Sequence, residues 1–285
     1  MPQLTLGYSP CPNDTFIFYG LVHGRIELPG LRIRERLEDV ETLNRLAQNG
    51  VLDLTKISYH ALGHLRRDYV LLRSGGALGR GCGPLVVART PLTMDDLQGK
   101  RIAIPGRLTT ANLLLQLHGS GFERVEEMPF HAIMAAVAQG TVDAGVIIHE
   151  SRFTYRDHGL SEVLDLGRWW EAETGHPIPL GGILARRSFG PERIAMLDRA
   201  LRASVTYALE HPQQPRDYIR QHARELSATV IDSHIKLYVN RFSVDLGAEG
   251  VAAIETLFAR AEQRGLIPRC ELPLFGADEE PVDHP

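Results

Sequence analysis

His149 ends the apolar run in GVIIHES and is followed directly by Glu150. Imidazole exchanges protons near neutral pH, so a histidine at the open end of a buried strand can serve as a general base. A structural, hydrogen-bonding role is the other reading. His149-Glu150 is not a zinc-protease helix, because no second histidine stands at the required spacing. His60 and His64 are four apart and could chelate, but with no third ligand in view they read as a solvated helix face.

A second group of candidates opens the chain. In GYSPCPNDTFIFYG, Ser9, Asn13, Asp14 and Thr15 follow an alternating stretch and precede an apolar helix. Pro10 and Pro12 fix the turn and restrict the residues before them. Asn13 or Asp14 can cap the helix. Asp14 can in addition face a cleft and accept a ligand hydroxyl or proton. Cys11 has no basic neighbour in sequence, so its thiol reads as unreactive.

Lys56 interrupts the apolar run LDLTKISY. A cation on a buried strand needs a partner, either an internal acid such as Asp53 or an anionic ligand. Thr109 and Thr110 open a helix after a Pro-Gly-Arg turn, where free N–H groups and hydroxyls suit a carboxylate; a simple threonine cap is the plainer reading.

The elements that must position these residues alternate. Strands are expected at 3–8, 31–37, 52–58, 69–73 and 85–88, with helices at 16–24, from Asp39 to about 49, and 59–67. Between Arg73 and Leu85 lies a glycine-rich run that enters a strand rather than a helix. It is therefore no dinucleotide fingerprint but a tight connection that lets backbone approach backbone or ligand. Thr93 and Asp96 resemble a reciprocal cap. Further strands are expected at 100–105, 144–148, 163–166 and 180–185, and helices at 109–119 and 129–140; Trp169 and Trp170 read as packing residues. From about 191 the pattern is helical: 191–210, 213–224, 227–239 and 247–264. The fold class is α/β, with mostly parallel sheets flanked by helices and a helical C-terminal segment. Residues 1–88 and 189–285 are expected to form a discontinuous first lobe and 89–188 the second, with the site between them. In such sheets ligands bind beyond the carboxyl ends of the strands. Ser9 and Asp14, Asp39 and Asn44, Thr109 and Thr110, and His149 follow strand ends, and the third strand and its end supply Lys56 and Ser58.

The chain has 285 residues, 44% hydrophobic and 23% charged, enough to bury a large core in two domains. A net charge of −4 without a basic block argues against nucleic acid as the partner. No run of 18 apolar residues could span a membrane, and MPQLTLGYSP does not read as a secretory signal. Cys11, Cys82 and Cys270 are odd in number and far apart, which suits free thiols in a reducing cytoplasm.

Read together, SPCPNDTFIFYGLVHG, LEDVETLN, DLTKISY, RSGGALGRGCGPLVVAR, IPGRLTTA, GVIIHESRFTY and PLGGILARR resemble the 1,4-dihydroxy-6-naphthoate synthase family of the futalosine route to menaquinone. The likeness runs from about residue 4 to residue 275, leaving only the acidic tail outside it. It implies a type II periplasmic-binding-protein-like fold and a lyase acting on cyclic dehypoxanthine futalosine, a small-molecule carboxylate, with no metal or organic cofactor. It also implies a cytoplasmic protein with neither membrane nor nucleic acid as partner. Carried over by motif, His149 is the proton acceptor, and Lys56, Ile57, Ser58, Thr110 and Ala111 contact substrate. Asp14 and Asn44 join the expected site from their positions alone. Three competing readings share the fold: a solute-binding protein, chorismate dehydratase of the same pathway, and a regulator's effector domain. The absence of a leader in the sequence speaks against the first, the SPCPNDTF and IIHESRFTY motifs against the second, and the lack of a helix-turn-helix segment against the third.

Overall fold

In the computed structural model, which describes residues 2–223 and 227–276, strands and helices alternate from the start. The order is β1 (Gln3–Tyr8), α1 (Pro12–Val22), β2 (Arg32–Leu37), α2 (Val40–Gln48), β3 (Leu54–Ser58), α3 (Tyr59–Leu65), β4 (Tyr69–Leu71), β5 (Ala77–Gly79) and β6 (Leu85–Ala88). It continues with β7 (Ile102–Ile104), α4 (Thr110–His118), β8 (Val125–Glu127), α5 (Phe130–Gln139), β9 (Ala144–Ile147), α6 (Ser151–Thr154), β10 (Ser161–Asp165), α7 (Leu166–Thr174) and β11 (Ile178–Arg186). Helices then close the chain: α8 (Gly190–Glu210), α9 (Arg216–His222), α10 (Ala228–Tyr238), α11 (Arg241–Val244) and α12 (Gly247–Gln263). The acidic tail 277–285, and residue 224 at the end of an expected helix, lie outside the described residues.

Two sheets form. The first has the order β2-β1-β3-β11-β4, with β5 also pairing β11; the second has the order β10-β6-β9-β7-β8. In the first, β1 lies parallel between β2 and β3, while β11 runs antiparallel to β3, β4 and β5. In the second, β7 is parallel to β8 and β9, and β6 is antiparallel to β9 and β10. Strand β6 thus belongs to the second sheet and β11 to the first. The chain crosses before residue 85 and returns before residue 178, earlier both times than the expected ranges, which broke after 88 and 188. An apolar strand pattern does not say which sheet a strand joins.

Apolar alternation along the strands feeds a core on each face of the first sheet. Leu4, Leu6 and Leu54 pack with Phe16, Phe18, Leu197 and Leu201 of α1 and α8. Leu43, Ile57 and Leu62 join a second cluster that runs on to Leu113 and Leu114 of α4 and Ile254 and Leu257 of α12, so apolar packing is continuous between the lobes. A third cluster sets α5 against the second sheet through Ile133, Val137 and Val87.

Helix α1 starts earlier than expected, at Pro12, where the missing N–H costs nothing. Cys11 takes the cap position without a side-chain bond, so neither Asn13 nor Asp14 is the cap. The expected reciprocal bonds between Thr93 and Asp96 are present, and Asp39 caps α2 by accepting from the amides of Glu41 and Thr42. Two strands escape the pattern: β5 lies inside the glycine run, and β8 reads VEE, a polar and largely exposed edge.

Candidate active site

The expected segments meet. Ser9, Asn13, Asp14, Lys56, Ile57, Ser58, Thr109, Thr110, Ala111 and His149 line one cleft, with Leu180 and Gly181 of β11 and Tyr238 of α10. Asn44 does not line it; it is fully buried behind Ser58.

Lys56 ends up beside Asp14 rather than Asp53, Nζ to Oδ1 2.6 Å, both side chains almost completely buried. Positions three apart on a strand face opposite ways, so Asp53 turns from Lys56. It accepts from the Thr5 amide at 2.9 Å and pairs with Arg186. Asp14 also accepts from Asn13 Nδ2 at 2.8 Å, from Ser9 Oγ at 2.7 Å and from the Ser9 amide at 3.2 Å. Four donors occupy a carboxylate with about four lone-pair sites. Its role in this geometry is to balance Lys56 and fix the turn. Lys56 carries three donors and spends one on Asp14.

Ser58 is held from behind. Its amide donates to Asn44 Oδ1 at 3.0 Å, and Asn44 Nδ2 donates to Ser58 Oγ at 3.3 Å and to Glu41 Oε2 at 3.0 Å. Burial raises the Glu41 carboxyl above its ordinary value, against the bonds from Asn44 and the Leu108 amide. Glu41 lies so close over Gly106 that a Cβ there would stand 2.4 Å from its carboxyl, which explains the glycine in the Pro-Gly-Arg turn.

Thr109 caps α4: its Oγ1 accepts from the Asn112 amide at 3.3 Å and donates to the Gly106 carbonyl at 2.7 Å. Thr110 Oγ1 donates to the Leu180 carbonyl at 2.6 Å, so its proton is committed and its lone pairs are what the hydroxyl offers the cleft. The amides of Thr110 and Ala111 are the first of the helix and have no carbonyl within it to bond. Beside the cap, His60 is buried, not part of a solvated face, and meets the Thr109 carbonyl at 3.3 Å. Burial, with His64 alongside, pushes its imidazole down to about 4.

His149 is the one non-glycine residue with positive φ among the described residues, at 57°. Left-handed backbone at such a residue costs about 1–3 kcal/mol and persists where neighbouring structure enforces it. The ring packs 5.1 Å from Phe130 and lies nearly parallel to His234 at 6.2 Å. Its Nδ1 is 3.6 Å from Cys11 Sγ. Burial lowers the imidazole below its ordinary value, with Lys56 acting the same way and Glu150, Asp14 and Asp39 opposing. A ring so placed is neutral near neutral pH and has a lone pair for a proton. The Cys11 thiol is pushed up by burial, with Glu150 acting the same way, so it stays protonated.

His234 and Tyr238 were not among the expected residues. His234 Nε2 meets Asn13 Oδ1 at 2.9 Å, and Tyr238 packs on His234 at 4.6 Å. Their only mark in the sequence is a spacing of four on α10.

The family model described as menaquinone biosynthesis matches residues 4–263. The chain belongs to the menaquinone biosynthesis family. A 1,4-dihydroxy-6-naphthoate synthase of Thermus thermophilus is 58% identical over 275 residues, 96% of this chain and 100% of that protein. One of Streptomyces coelicolor is 47% identical over 271 residues, 93% of this chain and 95% of its own. With relatives of this closeness named as synthases, this member of the family is an enzyme. The alkanesulfonate-binding protein of Xanthomonas axonopodis is 17% identical with a TM-score of 0.70, covering 94% of this chain and 95% of its own. That likeness fixes the family member's fold, the two-lobed periplasmic-binding-protein-like type. Among the described residues no helix is long and apolar enough to cross a membrane.

Proposed function

We propose that this protein converts cyclic dehypoxanthine futalosine to 1,4-dihydroxy-6-naphthoate in menaquinone biosynthesis, as a carbon–carbon lyase without a cofactor. The observation that carries the reading is near-full-length identity of 58% to a synthase of that name. The geometry supports it: a neutral imidazole, a cation and two helix amides face one cleft. His149 takes a proton next to the substrate ketone through Nε2, while Nδ1–H is held toward Cys11 Sγ. The enolate drives cleavage of the sugar-derived bonds, and aromatisation makes the step irreversible. The amides of Thr110 and Ala111 and the ammonium of Lys56 hold the aromatic carboxylate and the developing enolate oxygen. Asn44 acts through Ser58, and Asp14 through Lys56. Proton transfer by a placed side chain contributes about 10²–10⁴ in rate, and positioning supplies more. The reading also places the enzyme in the cytoplasm, with neither nucleic acid nor membrane as partner. Incubation with cyclic dehypoxanthine futalosine should yield dihydroxynaphthoate by mass spectrometry; substrate recovered unchanged sinks the reading.

A further inference from the structure

The turn before α1 and the residues after β9 bring Cys11 Sγ, a ring nitrogen of His149 and a Glu150 carboxylate oxygen within 4.8 Å of one another. Cys11 Sγ and His149 Nδ1 are 3.6 Å apart. In a tetrahedral zinc site a thiolate at about 2.3 Å and an imidazole nitrogen at about 2.0–2.1 Å stand about 3.5 Å from each other. Glu150 Oε2 is buried and has no hydrogen-bond partner, so this set includes an acceptor the fold leaves unused. Sulfur, imidazole and carboxylate together select a zinc-class ion over magnesium or calcium.

An entry path exists. A second cavity, lined by Cys11, Glu38, Asp39, Phe130, His149 and Glu150, shares Ser9, Val40 and His149 with the substrate cleft but not Lys56 or Thr110. Glu38, paired with Arg36, and Asp39, the cap of α2, line it as well and add negative charge.

We propose that Cys11, His149 and Glu150 form an inhibitory site for a zinc-class divalent cation, entered through the second cavity, which disables the base without filling the substrate cleft. The ion is an inhibitor here, not a cofactor. On binding, Cys11 forms a sulfur–metal bond and its proton leaves to solvent. His149 loses its Nδ1 proton to solvent, takes one on Nε2 and gives the Nδ1 lone pair, and Glu150 gives a carboxylate oxygen; nothing is oxidised or reduced. A neutral imidazole bound through Nδ1 carries its proton on Nε2, which then has no lone pair to take the substrate's proton. The binding step stands on geometry alone, and the inhibition rests on His149 as the proposed base.

The test uses the full chain stripped with a chelator. Co²⁺ should bind at one equivalent with thiolate-to-metal charge-transfer absorption in the near ultraviolet. Zn²⁺ should lower kcat with little change in KM, and chelator should restore the rate. By calorimetry, Cys11→Ser and Glu150→Gln should each weaken Zn²⁺ binding at least about ten-fold, since even outer-shell changes cost 10–100-fold. A Co²⁺ complex without the thiolate band, or equal Zn²⁺ affinity in wild type and both variants, overturns the site. Should Cys11→Ser fail to fold, the wild-type band and Glu150→Gln decide. Binding with the thiolate band but unaltered turnover overturns the inhibition. If the metal-free protein does not turn over the futalosine substrate, the proposed function has failed, and the band and calorimetry still decide the site.

Discussion

At the scale of single residues the proposed base, His149, is the first to test. His149→Asn keeps size and some hydrogen bonding but has no basic nitrogen, so kcat should fall by about 10²-fold or more, with the melting temperature nearly unchanged. A variant turning over near the wild-type rate would leave His149 structural. The pH profile has a definite sign. Burial lowers the imidazole, and the proposed base works in its neutral form, so the acid limb of activity should lie below the ordinary value of 6.5; a limb above it contradicts the buried site. Asp14→Asn tests the buried pair. It strands the Lys56 ammonium, and breaking a buried pair costs about 3–5 kcal/mol. Denaturant unfolding should show that loss, and Asp14→Asn with Lys56→Met should recover part of it. A cost below about 1 kcal/mol would mean the pair is solvated. That His149, Lys56, Ser58 and Thr110 would meet at one cleft was legible in the sequence, because each lies on a strand's last residues or just beyond a strand end. The partner of Lys56 was not: Asp14 lies on a helix far away in sequence, and Asp53, the near candidate, points to the opposite face of β3.

Elements decide how firmly the proposed base is held. Arg152, just after His149, donates to the Gly83 carbonyl at 2.6 Å and to Asp165 at 2.5 Å. Asp165 in turn caps α7 through the amides of Gly167 and Arg168. Gly83 and Gly167 meet backbone to backbone, and a Cβ on Gly83 would stand 2.3 Å from the Gly167 Cα. The glycine run was readable as a close approach, but not its partner, because nothing in a one-dimensional pattern pairs Gly83 with Gly167. Gly83→Ala should reduce unfolding free energy by about 1–3 kcal/mol or more, the scale of overpacking, and should slow turnover by shifting the segment behind His149. Unchanged stability would show that the two backbones have room. The longer elements were legible for the opposite reason: α8 and α12 carry apolar residues at helical spacing over several turns, whereas β5 and β8 have three residues each and too little pattern to read.

Across the whole molecule the cleft is a joint between two sheets, and its two sides are tied. Thr110, at the start of α4, which packs against β9 of the second sheet and β11 of the first, donates to the Leu180 carbonyl on β11. His60 of the first lobe meets the Thr109 carbonyl of the second. A ligand spanning Lys56, Thr110 and His149 contacts both lobes, so it binds the folded whole and not either half. Dihydroxynaphthoate at 100 times its Kd should then stabilise the protein by about 2.7 kcal/mol, read as a higher melting temperature in a single cooperative transition. Thr110→Val removes the hydroxyl but leaves the helix amides and the cap on Thr109. It should shrink the ligand-induced shift and raise KM while the ligand-free protein still melts cooperatively. An equal shift in variant and wild type would take the Thr110 side chain out of the site. Two separate transitions, only one of which moves with ligand, would mean that the ligand rests on one lobe and that the cleft is not where the molecule is joined.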